Sequence, residues 1–190
     1  MKSVRRIHIG LALAALGALA GCSNNAPVRV DPTYKEAAAN EFMTVNREAI
    51  NKLIAGFDLG PTGDTPVLVA TLVNVNDTRR AAPLGRTLSE QYASHLVNAG
   101  FHVKEIRLRG DVFVKEETGE LLLSREVKDI ARSHNANYAL VGTYSPAANF
   151  TYVSLKFVRT EDGRIVRGYD YALPNDKDIT KLLQVTAARP

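Results

Sequence analysis

Apolar residues follow two rhythms along this 190-residue chain. Between residues 33 and 55 they recur three and four apart, at Ala38, Phe42, Val45, Ala49 and Leu53, with Phe57 continuing the stripe. That spacing places them on one face of a helix. Gly56 and then Gly60-Pro61 supply the stop. Residues 66–75 are instead nearly continuous in apolar character, through Val67, Leu68, Val69, Ala70, Leu72, Val73 and Val75. Such a run predicts a strand covered on both faces. A second helix is predicted over 84–98, where Leu84, Leu88, Tyr92 and Leu96 stand four apart and Ala99-Gly100 closes the last turn. Residues 101–108 alternate, with His102, Lys104, Ile106 and Leu108 on one side, and so predict a strand. Strand, helix and strand in this order predict a βαβ unit, with a right-handed crossover if the strands run parallel.

The second half is richer in strands. Residues 111–123 read as a hairpin, with Val112, Phe113 and Val114 facing Leu121, Leu122 and Leu123 across Glu117-Thr118-Gly119-Glu120. Ser124 can cap a helix over 124–134 that turns Val127, Ile130 and Ala131 inward. A strand over 138–144 is expected to be interrupted at Gly142. Residues 151–173 form the clearest hairpin: Val153, Leu155 and Phe157 alternate with Tyr152, Ser154 and Lys156, and Glu161-Asp162-Gly163-Arg164 makes the turn. A short helix is expected over 176–184. The fold class is α/β: one domain over 33–190, with its core at 66–174, built on a mixed sheet of five or six strands flanked by helices.

The N-terminus has a different pattern. Lys2, Arg5 and Arg6 precede twelve apolar and glycine residues at 9–20. A membrane-spanning helix needs about 20, so this run reads as the core of a secretory signal occupying residues 1–21. It ends in Leu19-Ala20-Gly21-Cys22, which resembles the bacterial lipobox. The resemblance implies cleavage before Cys22 and a thioether-linked diacylglycerol on its sulfur, with an acyl group on the new amine. Cys22 is the sole cysteine, so no internal disulfide competes for it. Two or three acyl chains hold a protein stably at a bilayer. Residues 22–32 then form a lipidated spacer. Residue 23 is serine rather than the aspartate that tends to retain lipoproteins in the inner membrane, so the outer membrane is the expected address.

Removing the signal changes the charge. The formal net charge of +4 drops to +1, with 21 basic against 20 acidic side chains. No run of five like charges exists, so the electrostatic case for nucleic-acid binding is gone. His95, His102 and His134 show no metal-ligand spacing, and no G-x-S-x-G elbow, Walker loop or G-x-G-x-x-G occurs. The expectation is therefore no enzyme, no metal and no cofactor beyond the covalent lipid on Cys22. The chemically richest stretch is Asn74, Asn76, Asp77, Thr78, Arg79 and Arg80. It leaves the carboxyl end of the first core strand, where open α/β sheets bind ligands. Asn76, Asp77, Arg79 and Arg80 are the candidate partner contacts, although Asx turns and plain solvation of the loop account for them equally well. Arg109-Gly110-Asp111 reads as a turn. Tyr152, Tyr169 and Tyr171 could form an exposed aromatic patch, with core packing the competing use.

Residues 66–174 resemble the FlgO family of flagellum-associated outer-membrane lipoproteins. Three blocks carry the likeness. The first is Val67-Leu-Val-Ala-Thr-Leu-Val-Asn-Val-Asn-Asp77, followed by Leu84-Gly-Arg-Thr-Leu-Ser-Glu-Gln91 and Leu96-Val-Asn-Ala-Gly-Phe-His-Val103. The second joins Ser124-Arg-Glu-Val-Lys-Asp-Ile-Ala-Arg132 to Asn137-Tyr-Ala-Leu-Val-Gly-Thr-Tyr144. The third is Val153-Ser-Leu-Lys-Phe157 with Asp162-Gly163, then Arg167-Gly-Tyr-Asp-Tyr171. The resemblance implies a non-catalytic binding or scaffolding component of flagellar or cell-surface assembly, needed for motility. Its partners would be the membrane, through the lipid, and envelope or flagellar proteins, a second copy of the chain among them. A similar strand–helix plan in the penicillin-binding-protein activator LpoB keeps a second reading open, a periplasmic regulator of an envelope enzyme such as a peptidoglycan synthase. The short spacer counts against that reading, because such a regulator needs a long tether.

Overall fold

The computed structural model describes residues 31–57, 66–77, 82–106, 113–115, 121–123 and 125–184. The chain divides into two units, residues 1–38 and 39–190. In the first, α1 (Tyr34–Ala38) is a single turn opened by a reciprocal cap. Thr33 donates its backbone N–H (2.7 Å) and its hydroxyl (2.9 Å) to the Glu36 carboxylate, while the Glu36 N–H donates to Thr33 Oγ1. These bonds hold the Glu36 carboxyl below its usual pKa.

The second unit opens with α2 (Glu41–Ile54). The expected continuous helix over 33–55 is therefore broken. Asn40 stands in extended backbone, and its side chain accepts from the Met43 N–H, so it starts a new helix rather than continuing the old one. Ala38, placed on the apolar stripe by its spacing, is exposed. The face that α2 buries is Asn46, Ala49, Ile50 and Leu53.

The strands that follow are β1 (Val67–Ala70), β2 (Val73–Asn74), β3 (Val103–Ile106) and β6 (Tyr138–Pro146). The last two strands are β7 (Phe150–Arg159) and β8 (Ile165–Pro174). They form one mixed sheet in the order β3-β1-β6-β7-β8, with β2 pairing β6 beyond the end of β1. β1 lies parallel to both β3 and β6, and β6-β7-β8 is an antiparallel meander. Two further strands, β4 (Phe113–Lys115) and β5 (Leu121–Leu123), pair antiparallel as the expected separate hairpin, but one residue out of the expected register: Phe113 stands opposite Leu123, and Lys115, not Val112, completes the pairing.

The helices divide between the two faces. α3 (Pro83–Asn98) connects β1–β2 to β3 and packs with α2 on one face, where α5 (Lys177–Leu183) joins them through Ile179. α4 (Arg125–Ser133) connects β3 to β6 on the opposite face. The crossover first steps outward from β1 to β3 and then back across β1 to β6. Keeping one hand while reversing direction moves the helix to the other face. Alternation in the strands matches this. Val67 and Val69 point to α2 and α3, whereas Leu68 and Ala70 point to α4. Both sets are fully buried, as the unbroken apolar run of β1 requires.

Local chemistry sets the helix ends. α3 closes in a Schellman motif: the Gly100 N–H donates to Val97 O (2.9 Å) and the Phe101 N–H to Leu96 O (3.0 Å), with Gly100 at φ +89°. α4 ends the same way with Asn135 at φ +52° in place of glycine. The β7–β8 turn has Gly163 at φ +78°, as Asp-Gly predicts.

Two strand predictions need correction. The run over 66–75 is not one strand, because the chain leaves the ladder at Thr71-Leu72 and resumes as β2. Conversely, β6 is not interrupted at Gly142 but runs straight through it. A Cβ on Gly142 would lie 2.6 Å from Ser154 O and 3.1 Å from Leu72 Cγ. The glycine is there to admit Leu72 and the neighbouring strand, so it marks close packing rather than a stop. Among the described residues, no helix is long and apolar enough to cross a membrane.

Candidate functional site

Of the polar stretch after the first core strand, Asn74, Asn76 and Asp77 are described, and they lie at the carboxyl end of β2. Asn74 organises it. Its side chain accepts from the Asn76 N–H (2.9 Å), its carbonyl accepts from the Asp77 N–H (3.1 Å), and the Val75 N–H donates to Tyr144 O (3.0 Å). This is an Asx turn, so Asn74 has a structural use. Asn76 is exposed and Asp77 half-buried. Arg79, Arg80 and Cys22 lie outside the described residues, as does Arg109-Gly110-Asp111.

Just behind this loop, the break between β1 and β2 is held by Ser89 of α3, which is completely buried. Its hydroxyl accepts from the Leu72 N–H (2.9 Å) and lies within donating distance of Ala70 O (3.1 Å) and Gly85 O (2.9 Å). The serine thus replaces the ladder bonds that the chain gives up at Thr71-Leu72. Its oxygen is committed to backbone, with no histidine or carboxylate among its partners, so it is not arranged as a nucleophile. Gly85, one turn earlier, brings the helix backbone against Leu72, and a Cβ there would sit 2.0 Å from Leu72 O. The Tyr144 hydroxyl is buried beside this junction without a hydrogen bond of good geometry. Burial raises its pKa, and the nearby Ala82 backbone offsets part of that rise.

A second polar group lies between α2, α3 and β8, and its pattern is not visible in the sequence. The Tyr171 hydroxyl donates to Asn46 Oδ1 (2.6 Å), and the Asn46 amide donates to Gln91 Oε1 (2.7 Å). Tyr92 shares a short hydrogen bond with Tyr171. Because the Tyr171 proton goes to Asn46, Tyr92 is the donor in that pair. The direction of donation is therefore Tyr92 to Tyr171 to Asn46 to Gln91. Burial pushes the pKa of both tyrosines well up, so both stay protonated. Tyr169 stacks on Tyr171, with Lys52 of α2 over its ring.

Tyr152 is on the other face of the sheet and 55% exposed. The three-tyrosine patch considered from the sequence does not form: Tyr169 and Tyr171 pack on the core, apart from Tyr152. The histidines are likewise dispersed. His95 lies on α3, His102 precedes β3, and His134 follows α4, where its Nδ1 is 3.3 Å from Lys104 Nζ. Among the described residues no three His, Cys, Asp or Glu side chains converge on a metal position.

A cavity of about 130 Å³ lies where α2, β8 and α5 meet. Phe42, Val45, Leu173 and Ile179 make its apolar lining, and Glu41 and Asp176 stand at its rim.

Taken together these features define a three-layered α/β domain in which Ser89, Tyr92 and Asn46 serve its own packing, with a loop, a sheet edge and a small cavity among its open features. The chain belongs to the FlgO family: the family model described as FlgO protein matches residues 47–178, more than half of the chain. No curated protein matches it. Among solved structures it is similar to the LpoB C-terminal domain from Escherichia coli, at 16% identity and TM-score 0.47, over 70% of this chain and 98% of that one. The LpoB C-terminal domain from Salmonella enterica matches at 18% identity and TM-score 0.46, over 67% and 93%. The PelC dodecamer from Paraburkholderia phytofirmans matches at 19% identity and TM-score 0.41, over 59% and 71%.

Proposed function

We propose that this protein is an outer-membrane lipoprotein, anchored through acyl chains on Cys22, whose α/β domain is a non-catalytic binding or scaffolding component of flagellar or cell-surface assembly. Membership of the FlgO family carries the reading. The signal pattern and lipobox at residues 1–22 support the anchor. The internal use of Ser89, Tyr92 and Tyr171 supports a role in binding rather than in chemistry. Partners are envelope or flagellar proteins and the membrane itself.

Swimming in soft agar tests the reading, using a deletion strain complemented with wild type or with Cys22→Ser. Swimming lost on deletion and restored only by the lipidated form is the expected result. Normal swimming of the deletion strain in a flagellated host would reject the flagellar role. Regulation of an envelope enzyme such as a peptidoglycan synthase would then be the reading to pursue.

A further inference from the structure

We infer that the outer edge of β8 is a docking site for an extended segment of a partner polypeptide. That segment adds to the sheet as a further strand, places one branched apolar side chain in the cavity between α2 and α5, and sets a basic side chain beside Glu41 and Asp176. The inference rests on the reading of this domain as a binding component and names the kind of partner it takes.

The first observation is the edge itself. β8 is ten residues long and ends the sheet, and among the described residues no strand pairs with its outer side. The phase of its hydrogen bonds follows from one contact. The Asn175 N–H donates to Asn149 O (2.9 Å), which makes those two residues a bonded antiparallel pair. Such pairs recur at every second residue. Leu173 opposite Thr151, Tyr171 opposite Val153 and Tyr169 opposite Leu155 are the next members. Their backbone groups face β7. Those of Gly168, Asp170 and Ala172 face outward, and all three residues are exposed. Pro174, next in the outward phase, has no N–H to leave unpaired, which is how proline is tolerated at a sheet edge.

The second observation is the cavity at the end of that row. It is walled on one side by Ala172, Leu173 and Pro174 of β8 and on the others by α2 and α5. Apolar cavities of about 150 Å³ take a benzene-sized group, so this one suits a valine or leucine side chain. In strand addition the main chain gives affinity and such pockets give specificity.

The third observation is charge. The charged residues on segment 168–174 and in the cavity lining are Asp170, Glu41 and Asp176, all acidic. Asp176 and Asn40 are also the caps of α5 and α2, so the rim is held by two helix starts. A natural edge is blunted against its own kind by charge. Here the charge repels an acidic strand and favours a basic one.

The test uses the full-length chain with Cys22→Ser, which keeps lipid off, and a fluorescein-labelled ten-residue peptide alternating valine with lysine. Anisotropy is expected to show binding. Amide exchange by NMR is expected to slow at Gly168, Asp170 and Ala172 while Tyr169 and Tyr171 stay unchanged. Methylating alternate backbone nitrogens of the peptide, replacing its lysines by glutamates, or introducing Glu41→Lys should each weaken binding about tenfold or more. Absence of binding, equal binding of the N-methylated peptide, or protection elsewhere on the domain would overturn the proposal. Because these readouts do not involve motility, their failure is separable from failure of the flagellar reading.

Discussion

Gly85 occupies a position where helix propensity and tertiary packing make opposite demands. In an open helix, glycine to alanine gains about 1 kcal/mol. At residue 85 the added Cβ would meet the backbone of Leu72, which Ser89 holds in place. Gly85→Ala is therefore expected to destabilise the domain by about 1–3 kcal/mol, read as a lower thermal midpoint by circular dichroism. A raised midpoint would show that helix propensity wins. His95 makes a second residue-scale case. Burial, and then the Arg47 charge on α2, lower its pKa from 6.5, and its Nε2 has no partner. In the window between 6.5 and that lower value, the unfolded chain takes a proton that the folded chain refuses. The contribution of His95 to stability is thus present above 6.5 and declines as pH falls below it. His95→Gln should flatten the loss of midpoint between pH 7.5 and 5.5, and an unaltered slope would assign that loss to other groups. In the sequence Gly85 is an isolated glycine and His95 a polar position on a helix. Nothing adjacent in the chain marks either, because the atoms they meet belong to other elements.

At the scale of elements, the donor chain from Tyr92 through Tyr171 and Asn46 to Gln91 ties α2 and α3 to the sheet edge. Its members are not equivalent. Tyr92 is the terminal donor, so Tyr92→Phe removes one bond and costs about 1 kcal/mol. Tyr171 both accepts and donates, so Tyr171→Phe strands two buried groups and should cost about twice as much or more. Urea denaturation of the two variants checks the order, and equal losses would mean that Tyr92 is not the terminal donor. Most elements were readable from periodicity and caps: α3, α4, α5 and the β7–β8 hairpin lie within a few residues of expectation. The missed breaks have separate causes. Asn40 does not stand out as a cap in the sequence, because Ala38 and Phe42 keep the helical spacing across it. The interruption at Thr71-Leu72 was hidden by an apolar run that continues through it, since only Ser89, 17 residues away, replaces the lost ladder bonds.

For the whole molecule, the two crossovers place the loop after β2 at the carboxyl edge of the parallel strands, and the meander places β8 at the outer rim. The first is the place predicted for Asn76 and Asp77 as partner contacts, while Arg79 and Arg80, predicted with them, lie outside the described residues. If they serve that role, Arg79→Glu with Arg80→Glu should reduce swimming while the thermal midpoint stays unchanged, and full swimming in the double variant would reject it. The sequence by itself determined the α/β class, the strand and helix rhythm, the turn at Gly163 and the likeness to the FlgO family. These depend on side-chain period and turn chemistry, which act over a few residues. Only the tertiary structure decided that Asn46 is buried against Tyr171, 125 residues later, and that Gly142 admits Leu72. It also decided that β8 has a free edge beside a cavity. Those outcomes depend on which surfaces the packed helices and strands bring together, and local pattern does not encode partners so far apart in the chain.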